Sequence, residues 1–193
     1  MLFDWDRKLF FFINHHSANS FFDWLMPVMR NSKTWLPLYV LIICYAIYQF
    51  RKKGVWWVVF AACAVLLCNY ISSDLIKENI WRTRPCHEPS MNAHIRKIIG
   101  YWPQSSSFTS SHATNHFGMA AYIFFTGRQL FKNWLYFFFL WATLIIYAQV
   151  YVGVHYPTDV IAGAFVGTII GYAIARLFNK RFGMLIFDKQ SAF

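Results

Sequence analysis

NWLYFFFLWATLIIYAQVYVGVHYPTDVIAGAFVGTIIGYAIA, residues 133–175, holds one carboxylate, Asp159, and no Lys or Arg. The run breaks in its middle at Gly153 and Pro157. Each side is close to the roughly 20 apolar residues that cross a hydrocarbon core. Neither side shows strict alternation, so each reads as a helix. In lipid, only helices and closed barrels satisfy their own backbone groups. Residues 133–151 and 157–178 are therefore expected as two membrane spans.

Working outward, the same punctuation recurs. Residues 34–50 are uncharged and end at Arg51, Lys52 and Lys53. Residues 54–73 are uncharged and end at Asp74 and Lys77. Residues 111–127 are uncharged up to Arg128. Five spans follow, roughly 34–50, 55–76, 111–127, 133–151 and 157–178. Residues 1–33 hold two shorter apolar pieces, near 5–13 and 20–29, separated by Asn14-His15-His16-Ser17. They are expected to be interfacial helices, with a sixth, broken span left open. The expected fold is an all-α polytopic bundle of about five to six transmembrane helices. It forms one domain over 1–193, with its core at 34–178 and the N-terminal helices at 1–33.

Composition supports this. Of 193 residues, 58% are hydrophobic and 13% charged, against about 45–50% and about 25% in a soluble domain. A soluble single domain and a disordered chain are both excluded. The net charge of +10 points to anionic lipid headgroups or a phosphate substrate. Nucleic acid is not expected as a partner, because the charges sit in short clusters between apolar runs. The first residues carry Asp4 and Asp6 and do not read as a cleavable signal. No lipidation motif is expected at either end. Cys44, Cys63, Cys68 and Cys86 show no metal or disulfide spacing and are expected as small buried apolar residues.

Dense basic turns mark the cytoplasmic side. Arg51 to Lys53, Arg128 with Lys132, and Arg176, Lys180, Arg181 and Lys189 fall on one face. The polar 78–110 segment, with His87, His94, Arg96, Lys97, Tyr101 and Trp102, then lies outside. Gly163, Gly167 and Gly171 repeat every four residues, a spacing that lets helices approach closely in lipid. Packing within the chain is expected there rather than a dimer seam.

Three polar clusters fall at external span ends, where ionisable groups are usually functional. Lys77 and Arg84 are seven residues apart, two turns on one helical face, with Pro85 closing the helix. Two such cations suit a phosphate. Ser105 to Thr114 form a hydroxyl-rich turn opening an apolar helix, whose N-terminus favours anions. Ser110 and Ser111 add donors there, and His112 falls in the first turn. His116, four residues on, resembles half a metal pair but has no carboxylate partner. Pro157 fits a first helical position, with Asp159 in the first turn and His155 four residues before it. That spacing lets a carboxylate orient an imidazole whose other nitrogen faces a substrate. Together these residues compose a metal-independent phosphate site, with no cofactor expected.

The three clusters resemble the motifs of the type-2 phosphatidic acid phosphatase superfamily. Lys77…Arg84-Pro85 fits K-x6-R-P in full. Thr109-Ser110-Ser111-His112 stands where the family has P-S-G-H. Ala148-Gln149…His155…Asp159 stands where it has S-R-x5-H-x3-D. The resemblance implies that His155 is the nucleophile of a phosphohistidine intermediate and that Asp159 orients it. It makes His112 the acid for the leaving oxygen and the base for the later water. Lys77, Arg84, Ser110 and Ser111 would bind phosphoryl oxygens. Gln149 replaces the third motif's arginine, which removes a cation and a bidentate donor. Arg82 is a candidate accessory for the lost charge.

The resemblance implies a lipid phosphate substrate, held with its tail in the surrounding membrane lipids. An isoprenoid diphosphate such as undecaprenyl diphosphate is expected. Phosphatidylglycerophosphate, phosphatidate and lipid A phosphatases are alternatives. A weakly catalytic lipid-phosphate binding or transport protein is a further one. A soluble relative, such as a haloperoxidase or acid phosphatase, disagrees with five apolar runs. A metal-dependent hydrolase using His112 and His116 is more remote. Oligomeric state is left open.

Overall fold

The computed structural model describes residues 4–96 and 98–186. Lys97 and Lys189 lie outside them. Among the described residues every regular element is helical. The order is α1 (Asp4–Phe11), α2 (Ser20–Arg30), α3 (Leu36–Asn69), α4 (Lys77–Asn79), α5 (Ser111–Phe131), α6 (Tyr136–Tyr151) and α7 (Pro157–Phe182). A wider π-helical turn, Tyr70–Ile76, joins α3 to α4.

Among the described residues, three helical stretches are long and apolar enough to cross a membrane: Ser32–Asn79, Ser111–Tyr151 and Pro157–Phe182. The first two are each folded in half. Arg51 has φ of 50° and Lys132 has φ of 46°, an uncommon backbone for non-glycine residues. Residues eight apart on a straight helix are about 12 Å apart. A Cβ on Gly54 would instead collide with the Ala46 carbonyl, so the chain has turned back at Arg51. Beyond Lys132, Phe124 meets Tyr136 and Phe139 with ring centroids 5.0 and 5.7 Å apart. Two hairpins and one single helix give five arms, as the charge punctuation predicts. Leu41, Leu66, Trp134, Leu140 and Phe165 are exposed on the bundle's outside, which suits a lipid environment.

The glycine stripe lies inside the chain. Cβ atoms on Gly167 and Gly171 would strike the carbonyls of Thr114 and Gly118, and one on Gly163 would lie 2.7 Å from the Ser110 carbonyl. The α5 and α7 backbones are therefore in contact along their length. This places the N-terminus of α5 beside that of α7. At the opposite end, Lys53 Nζ donates to the Met184 carbonyl at 2.7 Å, and Leu185 N–H donates to Thr126 O at 3.0 Å. The basic turns thus gather at the end away from His155.

Two expectations are corrected. Arg84 is not on a helix with Lys77. The helix ends at Asn79, and Arg84 is extended at φ −71°, ψ 153°. The ring of Pro85 clashes with a helical residue before it. Of the cysteines, all are free, and Cys68 and Cys86 are buried, but Cys44 and Cys63 are exposed. On a lipid-facing helix, apolar side chains need not be buried in protein.

The N-terminal helices, of 8 and 11 residues, are too short to span. They are tied to the site end by polar contacts. Asn14 Nδ2 donates to the Tyr151 carbonyl at 2.7 Å. Arg96 Nη2 pairs with Asp23 Oδ2 at 2.5 Å, and Tyr151 O–H donates to Asp23 Oδ1 at 2.5 Å. Phe10 packs against Tyr156, Met91, Val150 and Val160.

Candidate active site

The turn between α6 and α7 sets His155. Gly153 has φ of 85°, a left-handed backbone that favours glycine. Val154 N–H donates to the Gln149 carbonyl at 3.2 Å, closing the turn. Pro157 then opens α7 at its first position, where its missing N–H costs nothing. Asp159 Oδ2 accepts the Tyr156 N–H at 2.9 Å, a helix-start contact that also fixes the carboxylate. Ser110 N–H donates to the Asp159 carbonyl at 3.2 Å. The second and third motifs are thus joined through backbone.

His155 is 3% exposed. Arg84 Nη1 lies 3.1 Å from its Nε2. A guanidinium can only donate, so Nε2 carries the lone pair and the ring proton sits on Nδ1. Nδ1 faces Asp159 Oδ2 at 3.7 Å and Ser107 Oγ at 3.5 Å. The first is too long for a direct hydrogen bond. Ser107 Oγ donates to Asp159 Oδ2 at 2.5 Å, so the hydroxyl helps connect acid to imidazole. Burial, opposed by the Asp159 carboxylate and reinforced by Arg84, pushes the His155 pKa down to about 4. The ring is neutral at neutral pH, with a lone pair on the nitrogen beside Arg84. Such an imidazole can act as a nucleophile.

Arg84 is held by main chain. Nε donates to Ser105 O at 2.7 Å, Nη1 to Val154 O at 2.9 Å and Nη2 to Ser106 O at 3.2 Å. Nη2 also reaches Ser105 Oγ at 3.0 Å. Burial lowers its pKa from the ordinary arginine value. None of these partners is a carboxylate, so its charge is not neutralised by them.

Arg82 is placed differently from the expected accessory role. Nη2 pairs with Asp6 Oδ2 at 2.7 Å, and Nη1 pairs with Asp159 Oδ1. Nη1 also donates to Thr158 Oγ1 at 2.7 Å. Its guanidinium carbon lies 4.2 Å from the centroid of the Tyr156 ring. Asp6 in turn accepts the Thr158 N–H at 3.0 Å and its O–H at 2.6 Å. Arg82 braces Asp159 and is offset by two carboxylates.

His112, in the first turn of α5, stacks on His116 with centroids 6.2 Å apart and planes 8° apart. It lies within electrostatic reach of Arg30, His155 and Lys77. Both nitrogens of His116 are engaged, Nδ1 with the His112 carbonyl at 2.8 Å and Nε2 with Tyr39 O–H at 3.2 Å. Ser110 Oγ caps α5 by accepting the Ala113 N–H at 3.4 Å and keeps its own proton to donate. Ser111 Oγ bonds Ser72 and Ser73 at 3.1 and 2.9 Å. It ties α5 to the π turn. Lys77 is half-buried and has no ion pair among the described residues. Gln149 is fully buried, and its Oε1 accepts from Arg30 Nε at 3.3 Å.

The structure therefore gathers His155, Asp159, Arg84, His112, Lys77, Ser110 and Ser111 at one end of the bundle. Sequence reasoning missed Asp6, Arg30 and Ser107. Ser107 lay in the quoted serine run, but Asp6 and Arg30 carry no local signal.

Residues 54–183 match the PAP2 superfamily. The chain is similar to a lipid A 4'-phosphatase of Porphyromonas gingivalis, 30% identical over 90% of this chain and 72% of that protein. One from Bacteroides thetaiotaomicron is 31% identical over 93% and 79%. An undecaprenyl-diphosphatase of Sulfolobus acidocaldarius is 28% identical over 72% of this chain and 60% of that protein. Among solved structures, Aquifex aeolicus LpxE aligns with a TM-score of 0.70 at 24% identity, covering 90% of this chain and 96% of that one. A PAP2-type phosphatidylglycerolphosphate phosphatase from Bacillus subtilis aligns with a TM-score of 0.64 at 22% identity, covering 93% and 89%. At these identities the two structures share the fold.

Proposed function

The chain belongs to the PAP2 superfamily and is a multi-pass membrane protein, and from that premise we propose that it removes phosphate from a lipid A-type phosphate monoester through a phosphohistidine on His155, without a metal. The observation that carries the chemistry is the His155 Nε2 lone pair beside Arg84 Nη1 at 3.1 Å. A phosphoryl oxygen competes for that guanidinium proton and frees Nε2 for attack on phosphorus. The P–O bond to the lipid breaks as the N–P bond forms. His112 takes up a proton beside the bound phosphate dianion and gives it to the departing lipid oxygen. A water then attacks phosphorus and hands a proton to His112. The N–P bond breaks, and inorganic phosphate leaves. His155 keeps its Nδ1 proton throughout, held toward Ser107 and Asp159. Lys77, Arg84, Ser110 Oγ and the Ser111 N–H stabilise the equatorial oxygens.

The expected isoprenoid diphosphate becomes the second reading, supported by the undecaprenyl-diphosphatase likeness. Lipid A is preferred because the two lipid A 4'-phosphatases match over nearly the whole chain. An amphiphile also suits a groove of about 500 Å³ between the arms of α3 and α5, lined by Tyr39, Ile43, Val65, Leu66, His116 and Met119. It begins one turn beyond His112.

The test is phosphate release by detergent-purified protein in excess EDTA. The panel is lipid A, undecaprenyl diphosphate, phosphatidylglycerophosphate and phosphatidic acid, with His155→Ala as control. Release by wild type alone, fastest from lipid A, is expected. Silence across the panel from folded protein, or loss of activity in EDTA, contradicts the proposal. The basic turns orient the site end outward. Labelling of Ser105→Cys in intact cells by an impermeant maleimide checks this, and labelling only after lysis reverses it.

A further inference from the structure

Arg30 ends α2 and is 7% exposed. A cation in the last turn of a helix usually stabilises the helix from a solvated position. This one is desolvated, and burial lowers its pKa from the ordinary arginine value. Among the described residues it has no ion pair, and its guanidinium carbon lies 5.6 Å from the centroid of the Tyr101 ring. A buried charge without a counter-charge is costly unless something else neutralises it.

Its surroundings point to what that is. Arg30 Nε donates to Gln149 Oε1 at 3.3 Å. Gln149 Nε2 is buried and, among the described residues, has no hydrogen-bond partner, and an unpaired buried donor is costly. Gln149 leads directly to the site. Its carbonyl accepts from Val154 N–H at 3.2 Å, and the Val154 carbonyl accepts from Arg84 Nη1 at 2.9 Å. Arg30 lies within electrostatic reach of both Arg84 and His112. Trp35 pins this end of α2, donating from Nε1 to the Met29 carbonyl at 2.8 Å. Trp35 in turn meets Trp141 at 5.3 Å, and Trp141 meets His116 at 5.0 Å.

The carboxylates near the site are already committed. Asp6 and Asp159 both pair with Arg82. Among the described residues, Arg30, Arg84 and Lys77 are left without a salt-bridged carboxylate. An anion with several oxygens would supply the counter-charge that these three lack. We propose that Arg30 is a phosphate-binding residue of this site, aimed by Gln149 Oε1, and that the Arg30–Gln149 pair takes the place of the single arginine missing at position 149. The cation comes from the N-terminal helix pair rather than from α6. This rests on the site being a phosphate site, and it adds a binding residue that the three motifs do not contain.

The test compares wild type, Arg30→Gln, Arg30→Lys and the double variant Arg30→Gln/Gln149→Arg. Two readouts are taken: kcat/KM on the best lipid substrate, and direct binding of inorganic phosphate by calorimetry. Arg30→Gln is expected to lose about 100-fold in kcat/KM, the scale of one oxyanion-stabilising donor, and to bind phosphate at least about tenfold more weakly. Arg30→Lys recovers part of the loss, because it restores charge without the planar fork. The double variant recovers both readouts. Wild-type phosphate binding by a folded Arg30→Gln protein overturns the proposal. So does a loss that Gln149→Arg leaves unrestored, which is what a merely structural Arg30 predicts. If Arg30→Gln does not fold, unchanged phosphate affinity in Arg30→Lys overturns it equally. A wild type that binds phosphate through Arg30 but hydrolyses no lipid counts against the proposed reaction and leaves this inference standing.

Discussion

The α5–α7 seam and the N-terminal pair α1–α2 both build the site, by opposite physics. The seam is apolar and backbone-close. Gly163, Gly167 and Gly171 let two helices touch, and the contact sets Ser110 against Asp159. The N-terminal pair adds charge contacts to the apolar packing of Phe10 and Met26. Asp6 grips Arg82 and Thr158, Asp23 grips Arg96 and Tyr151, and Arg30 meets Gln149. In lipid, helices gain little from burying apolar surface against each other, so close packing must fix their register. At the site end, polar partners can be recruited from far along the chain. The comparison teaches that the seam fixes where the motifs meet, while the N-terminal helices set the charge they meet in.

Breaking the seam should have the largest effect. Gly167→Leu forces a side chain onto the Thr114 carbonyl and the Gly118 amide. Overpacking of a contact with no flexible atom to move costs about 3 kcal/mol or more. The expected outcome is loss of folded protein on size exclusion in detergent. Gly100→Ala, where a Cβ meets nothing within 4 Å, should be silent. Similar folded yields for the two would break the account of the seam.

Breaking the N-terminal contact should be milder and more specific. Asp6→Asn leaves Arg82 with Asp159 as its one carboxylate among the described residues. Loss of a partner for a buried charge costs about 1–3 kcal/mol. Misplacement of Asp159 can lower kcat by up to about 100-fold. The expected pattern is a lower kcat with little change in KM, measured on folded protein. An unchanged kcat would make α1 a passive strap.

The smallest effect sharpens the comparison from the pH side. The depressed pKa of His155, about 4, keeps Nε2 unprotonated well below neutrality. The proposed nucleophile is lost only as pH falls through that value. Once corrected for substrate ionisation, the acid limb of kcat/KM assigned to the nucleophile should lie below about pH 5. It should move when Arg84, which faces the same nitrogen, is replaced by Lys. A limb for His155 at an ordinary histidine value of about 6.5 would contradict the burial argument.

Much of this fold was legible because charges punctuate apolar runs. Arg51 to Lys53 and Lys132 fall where the hairpins turn, and the four-residue glycine period marks the helix that touches α5. His155, Asp159 and His112 were legible because each sits at a helix start with its own local signature. Arg84 was misread as helical because spacing was weighed above the steric demand of Pro85. Arg82 looked like a free cation because its partner Asp6 lies 76 residues away. Arg30 carried no local signal for the same reason, as its partner Gln149 is 119 residues distant. Long-range polar pairing leaves no periodicity to read.

The central claim is the covalent step at His155. Rapid acid-free quenching of the enzyme with lipid substrate labelled in its phosphate, in EDTA, should trap label on the protein. That label should be stable in base, labile in acid and absent from His155→Ala. Turnover with no trapped label, together with persistent activity in His155→Ala, would contradict it.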